Sequence, residues 1–286
     1  MKTFVITGAN SGLGFETAGK IAKDPENRVI MACRNLEKAE KAKAEIAAAT
    51  GNEHVEVMQL DTSSLASVRG FAGKLRDAGV TVDVLINNAG ISPMGNTGTT
   101  EEGFELVFAT NYLGHFLLTQ LLLPIMSGDA RIFNITSDMH NPPGGITWPG
   151  AEELAHPAKD DRRKYSYSKL CMIYMTHVLS EKLAAEKSGI TVNSFNPGFM
   201  ADTNFSKGNG KMQELMIKTT MPDRYGKLET SSDALAEVAT DARFGRFNGE
   251  YFDRSTEITR SSDLSYDGNN AAELWEKSLA WCGLNG

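Results

Sequence analysis

The sequence predicts an α/β protein built on a doubly wound parallel sheet with helices on both faces. Short apolar runs alternate with amphipathic stretches along the whole chain, the β–α rhythm that gives a parallel sheet with right-handed crossovers. The runs are rich in Val, Ile and Phe and apolar throughout, as strands are when both sheet faces are covered. A glycine-rich turn follows the first run and opens onto a helix, the tight junction of a first β–α unit.

Taken in order, Thr3-Phe4-Val5-Ile6-Thr7 opens the chain as strand 3–7, and the turn after it leads into a helix at 12–24. The next strand, 28–32, precedes a helix at 35–49; strand 54–60 precedes a helix at 64–78. Strand 82–86 is followed by a helix at 101–126, strand 130–136 by one at 164–187, and strand 190–196 by one at 230–242. A last strand is expected at 249–252 and a terminal helix at 271–282. Two stretches break the rhythm. Residues 138–163 hold Asn141-Pro142-Pro143-Gly144-Gly145 and Trp148-Pro149-Gly150, which punctuate a long loop. Residues 199–229 mix Gly, Asn and Met around a short helical piece near 211–219. Long excursions of this kind in a compact domain serve as lids or binding loops. No linker, repeat or low-complexity segment interrupts 1–286, which reads as one domain.

Composition bounds the function. A formal net charge of −7 argues against a general nucleic-acid surface. Cys33, Cys171 and Cys282 are too few and too scattered for a disulfide framework or a zinc site, so no metal is expected and a reducing, cytoplasmic setting fits. Met1-Lys2 runs straight into the first strand, which leaves no room for a targeting segment. No apolar run approaches the roughly 20 residues of a membrane span, so no integral membrane segment is expected.

The first strand ends in Thr7-Gly8-Ala9-Asn10-Ser11-Gly12-Leu13-Gly14. Glycines there let the backbone approach a pyrophosphate, while the helix N-terminus supplies free N–H groups and a positive dipole end. The second strand ends without the acidic residue that would hold a ribose 2′-hydroxyl; Arg34 stands twenty positions after Gly14 instead. A guanidinium there suits a 2′-phosphate and favours NADP(H) over NAD(H); the alternative is a surface arginine at a helix start. Asp61, closing the third strand, suits an adenine amino group or, alternatively, an N-cap for the next helix.

Thr7-Gly8-x-x-x-Gly12-x-Gly14, Asn87-Asn88-Ala89-Gly90 after strand four, and Tyr165-x-x-x-Lys169 together resemble the short-chain dehydrogenase/reductase superfamily, in the correct order over essentially the whole chain. The resemblance implies a single Rossmann-like domain with a sheet of about seven parallel strands, a hydride-transfer site at the strand C-termini and a small-molecule substrate. Asn88, Ala89 and Gly90 are then expected beside the cofactor.

The chemistry of the pair follows from its spacing. Tyr165 and Lys169 share one helix face. Tyrosine has a pKa of about 10, and a nearby ammonium lowers it towards a usable acid/base. Four residues beyond Tyr167 lies Cys171, which carries no charge. Ser137 matches the family's substrate-polarising serine, with Thr136 as the neighbouring alternative; its hydroxyl would bond the reacting oxygen. Asn111 matches the asparagine that holds a water in the proton relay, and asparagine is a poor helix-interior residue. Pro197-Gly198 resembles the turn beside the nicotinamide. The usual threonine follows that glycine by four; here Asp202 stands there and Thr203 comes next, so either side chain is a candidate for the carboxamide. The implied mechanism has NADPH give a hydride, Tyr165 the proton, Ser137 steady the oxygen and Lys169 grip the nicotinamide ribose.

Val29-Ile30-Met31-Ala32-Cys33-Arg34, Gly103-Phe104-Glu105-Leu106 and Asn111-Tyr112-Leu113-Gly114-His115-Phe116-Leu117-Leu118 are similar to the retinol dehydrogenase and light-dependent protochlorophyllide reductase branch. Ser168-Lys169-Leu170-Cys171 leans towards the protochlorophyllide reductases, and the tail around Trp275 and Leu279 does likewise. The 28 residues from Ser137 to Tyr165 are fewer than those enzymes show. The expected reaction is carbonyl/alcohol interconversion on a fairly apolar molecule. Reduction of a carbon–carbon double bond, with light-driven protochlorophyllide reduction as its special case, is the second reading, and a non-catalytic NADP(H)-binding protein the third. Monomer and homo-oligomer stay open, since many relatives pair through the helices at 101–126 and 164–187.

Overall fold

A computed structural model of the chain describes residues 1–200, 215 and 218–284. Its strands are β1 (Lys2–Thr7), β2 (Asn27–Cys33), β3 (Val55–Gln59), β4 (Val82–Asn87), β5 (Met126–Ile135), β6 (Thr191–Asn196), β7 (Tyr251–Asp253) and β8 (Ile258–Thr259). They form one sheet in the order β3-β2-β1-β4-β5-β6-β7-β8. Seven strands run parallel, and β8 pairs antiparallel with β7. The order reverses between β1 and β4, and that crevice at the strand C-termini is where such sheets bind ligands.

The helices are α1 (Gly12–Ile21), α2 (Leu36–Thr50), α3 (Leu65–Asp77), α4 (Leu106–Phe108), α5 (Gly114–Leu122), α6 (Ala151–Ala155), α7 (Lys164–Ala185), α8 (Leu228–Thr240) and α9 (Gly268–Trp281). Alternation along the strands sorts the core into two layers. Phe4 and Ile6 of β1 join the residues of α1, α2 and α8, whereas Val5 between them joins those of α3, α5, α7 and α9. Each such fully buried side chain contributes about 1.5–3 kcal/mol, so the sheet is held from both faces.

Several expectations are corrected. The helix expected at 101–126 begins only at Leu106. Gly103 takes φ +89° and its N–H bonds the Thr100 carbonyl in a turn, with Glu105 accepting from the Phe108 amide as the cap. Between α4 and α5, residues Ala109–Leu113 form a π segment, a feature concentrated at functional sites. Leu106–Ile125 is long and apolar enough to cross a membrane by length and composition, contrary to the reading that no run approaches that length. In this fold 78% of its most apolar window is buried, as befits a helix that is hydrophobic all round. The sheet gains an eighth strand, which at two exposed residues carries no periodic signal. The loop at 138–163 contains a 3₁₀ turn at Asp138–His140 and the short helix α6. Strand β5 starts four residues early, with its half-exposed end unlike the apolar runs elsewhere. The helical piece expected near 211–219 lies largely outside the described residues.

The C-terminal helix α9 packs along α7 and against α6, and its side chains reach α5 and the π segment. Trp275 meets Phe116 edge-on at 5.0 Å, and the Tyr112 and Ser278 hydroxyls bond at 2.8 Å. Helix α7 is buried on every face from Ser166 to Thr176, and its last turn emerges at Glu181, Lys182, Ala184 and Ala185. Beneath it runs a line of buried polar bonds. Asn87 Nδ2 donates to Asn134 Oδ1 (2.8 Å), Asn134 Nδ2 to Thr176 Oγ1 (2.9 Å), and Ser194 Oγ to the same Thr176 oxygen (2.9 Å). It ties β4, β5 and β6 to the middle of α7.

Candidate active site

The turn after β1 is shaped for close backbone approach. Gly8 and Gly12 hold φ +66° and +55°, a region that side-chain-bearing residues avoid. Ser11 precedes α1 without capping it through its side chain, which leaves the N-terminal amides of that helix for a ligand. Leu13 is buried, while Asn10 and Ser11 line the turn half-exposed. Thr7 binds this turn to the end of β4. Its Oγ1 accepts from the Asn88 and Ala89 amides, both at 2.8 Å, and Asn88 Nδ2 donates to the Thr7 carbonyl at 2.7 Å.

Arg34 is exposed at the end of β2, and no hydrogen bond or ion pair to it is found among the described residues. Asp61 does not cap α3; Ser64 does, accepting from the Ser67 amide. Asp61 Oδ1 instead accepts from the Ser63 amide and hydroxyl, which fixes the carboxylate just past the end of β3. Behind the turn, burial pushes the Cys33 thiol up to about 11, although the Ala9 and Asn10 amides reach its sulfur.

The catalytic candidates converge across β5, the π segment and α7. The Ser137 hydroxyl lies beside the Tyr165 phenol and favours its ionised form, while Ser137 Oγ accepts from the Met139 amide at 3.2 Å. Lys169 Nζ donates to the Ile135 carbonyl (2.9 Å) and lies 5.7 Å from the Tyr165 ring centre. Thr136 Oγ1 donates to the Lys169 carbonyl at 2.9 Å, so the alternative to Ser137 is spent on the helix backbone. Asn111 accepts from the Ile91 amide (2.8 Å) and donates to the Ile91 carbonyl (3.1 Å) and to Ser168 Oγ (3.0 Å). Gly90 brings its backbone against both groups: a Cβ there would lie 3.4 Å from Asn111 Oδ1 and 3.7 Å from Lys169 Nζ.

Burial dominates the electrostatics. It pushes the Tyr165 phenol up to about 12, which the neighbouring Ser137 hydroxyl opposes and the Asp138 charge reinforces. It pulls Lys169 down to about 8. The sequence-based expectation that the ammonium lowers the tyrosine is therefore not met in this arrangement. Tyr165 keeps some surface open, but the protein packed around it outweighs the more distant ammonium.

On the far wall, Gly198 takes φ +73°, its amide donating to Asn196 Oδ1 (3.0 Å), and the Pro197 carbonyl accepts from Ser231 Oγ (2.8 Å). Asp202 and Thr203 lie outside the described residues. Cys171 is wholly buried and its thiol is pushed up by that burial, the environment of a small packed hydrophobe.

Sequence reasoning missed His115. It is fully buried, with Nδ1 bonded to the Asn111 carbonyl (3.0 Å) and Nε2 to Thr7 Oγ1 (2.9 Å), and burial lowers it to about 4. Neutral His115 thus joins the π segment to the glycine turn. An Asn and a His four apart in an apolar helix was the available signal.

The short chain dehydrogenase family model matches residues 2–147. Retinol dehydrogenase 13 of Homo sapiens is 36% identical over 99% of this chain and 85% of its own length. The chloroplastic short-chain dehydrogenase TIC 32 B of Brassica napus is 31% identical over 97% of this chain and 87% of its own. A crystal structure of an uncharacterised protein from Mycobacterium paratuberculosis superposes with a TM-score of 0.78 at 30% identity, covering 100% of this chain and 94% of that one. The chain belongs to the short-chain dehydrogenase family and is an oxidoreductase that uses a nicotinamide cofactor.

Proposed function

We propose that this oxidoreductase is NADPH-dependent and interconverts a carbonyl and an alcohol on a fairly apolar small molecule, with Tyr165 as general acid/base. The observation that carries the reading is the Ser137 hydroxyl beside the Tyr165 phenol, with Lys169 Nζ 5.7 Å from the tyrosine ring centre. Two hydroxyls placed in this way converge on one substrate oxygen. A phenol held up at about 12 keeps its proton across the physiological range, which suits an acid for carbonyl reduction. The bound cofactor supplies the hydride. Ser137 steadies the oxygen as charge develops, Tyr165 delivers the proton, and Lys169 and Asn111 hold the ribose side and the proton path. The similarity to a retinol dehydrogenase supports an apolar alcohol or carbonyl substrate.

The glycine turn fits the cofactor's pyrophosphate: the uncapped α1 terminus supplies donors, and Gly14 lets the turn pack against α1 where a Cβ would meet Asn88 and the Gly8 carbonyl. Arg34, exposed and uncommitted at the end of β2, suits a 2′-phosphate. Asn88, Ala89 and Gly90 would line the path to the nicotinamide, with Pro197 and Gly198 on its other side. The test is NADPH consumption with a panel of ketones, aldehydes, retinoids and enones. Turnover of a ketone or aldehyde, abolished in Tyr165→Phe while NADPH affinity holds within about threefold, is the expected result. Undiminished turnover in that variant would remove Tyr165 from the mechanism.

A further inference from the structure

The carboxyl ends of β5, β6 and β7 are joined by a closed polar network that the proposed chemistry does not use. Asn196 Nδ2 donates to Asp138 Oδ1 (2.9 Å) and to Asp253 Oδ1 (2.7 Å). Arg254 Nη1 donates to Asp138 Oδ2 (2.9 Å), Nη2 to Asp253 Oδ2, and its backbone amide to the Asn196 carbonyl (2.7 Å). One guanidinium therefore bridges two carboxylates, one in the turn after β5 and one at the end of β7. Arg224 adds a second cation, spent on the Asp138 and Asn141 carbonyls.

Arg254 stands out for its backbone. Its φ of +57° makes it one of two non-glycine residues with positive φ among the described residues. Such conformations are strained and persist where the surroundings over-determine them, often at functional sites. The side chain so placed touches both walls of the site. Its Cδ lies against Gly198, where a Cβ would come within 2.8 Å. Its head grips Asp138, the residue directly after Ser137. A plain edge staple would need the ion pairs; it would not need a strained backbone that presses the arginine stem into the Pro197–Gly198 turn.

We propose that Arg254 is a positioning residue. It fixes Ser137 through Asp138 and sets the Pro197–Gly198 turn at the same time, so that the oxygen-polarising wall and the nicotinamide wall keep one spacing. The inference rests on the reading of the site as an NADPH-dependent carbonyl reductase. In such a site a displacement of about 1 Å costs on the order of 100-fold in rate.

Arg254→Gly tests it, since glycine accepts the positive φ and its strain relief offsets part of the lost ion pairing. The expected result is a kcat lower by about 10- to 100-fold with substrate KM within about threefold. Millimolar guanidinium chloride should restore part of that kcat, and the same concentration of sodium chloride should not. Turnover within about twofold of wild type, or a loss that guanidinium leaves untouched, overturns the proposal. Should Arg254→Gly fail to fold, Arg254→Lys keeps the charge but cannot bridge both carboxylates. A lowered kcat at unchanged thermal midpoint is then expected, and wild-type kcat refutes. If the wild-type enzyme reduces no carbonyl, the functional reading fails on its own. The positioning is then judged by the fluorescence of bound NADPH, which should change in Arg254→Gly as the nicotinamide wall shifts; identical emission spectra would end the idea.

Discussion

Replacing Gly14 with alanine would place a methyl carbon 2.5 Å from Asn88 Nδ2, 2.8 Å from the Gly8 carbonyl oxygen and 3.1 Å from Ala9 Cα. Two of those neighbours are backbone. The third is a side chain already anchored to the Thr7 carbonyl at 2.7 Å. Relief therefore requires the turn to move away from α1, taking with it the amides proposed to meet the pyrophosphate. Overpacking of this kind costs about 1–3 kcal/mol, against a helix-propensity gain of up to about 1 kcal/mol for Ala over Gly. The net loss of about 1–2 kcal/mol corresponds to a melting temperature lower by roughly 2–6 °C in a domain of this size. NADPH affinity, followed by fluorescence titration, should fall by at least about tenfold, or about 1.4 kcal/mol. Gly70→Ala is the control: it is exposed in α3, and a Cβ there meets nothing within 4 Å. It should leave affinity unchanged and raise the melting temperature by roughly 1–3 °C. If Gly14→Ala behaves like Gly70→Ala in both assays, the turn is not the phosphate cradle.

Arg34→Ala should weaken NADPH by about 10- to 100-fold and NADH by less than about threefold; equal losses in the same titration would remove the basis for NADP(H) preference. Lys169, held down to about 8 by burial, loses its charge as pH rises through that value. NADPH affinity should thus be level below about pH 7 and weaken by up to about tenfold per unit above about pH 8. Tyr165 at about 12 and His115 at about 4 do not titrate in that window, so Lys169→Met should flatten the profile. Glu105 both caps α4 (2.6 Å to the Phe108 amide) and pairs with buried Lys164 at 3.3 Å. Glu105→Ala should cost about 2–4 kcal/mol in urea unfolding and Glu105→Gln, which keeps the cap acceptor, about half of that.

What was legible in the sequence is what local spacing encodes. The glycines of the first turn, the Asn88-Ala89-Gly90 segment and the Tyr165–Lys169 pair each depend on residues a few positions apart, and all lie where their elements were expected. The π segment at Ala109–Leu113 was read as plain helix because its cause is tertiary: Asn111 bonds the Ile91 backbone twenty residues away. The start of α4 at Leu106 was missed because the turn at Thr100–Gly103 overrides the helical periodicity. Burial is equally invisible in sequence, which is why the tyrosine was expected to titrate lower than it does. The network of Asp138, Asn196 and Arg254 joins residues up to 116 positions apart and leaves no motif at all.

The row of bonds from Asn87 through Asn134 and Thr176 to Ser194 acts on α7 as a vernier acts on a scale. Apolar packing alone tolerates a helix sliding along its axis, because one aliphatic side chain replaces another at little cost. A slip of one turn, about 5.4 Å, would strand the Asn134 amide and the Ser194 hydroxyl, at about 1–3 kcal/mol for each group left unpaired. The height of Tyr165 above the sheet is thus set eleven residues away, at Thr176, by groups that never meet a substrate. Variants at Thr176 are where a change in reactivity with no change at the reacting centre is to be sought.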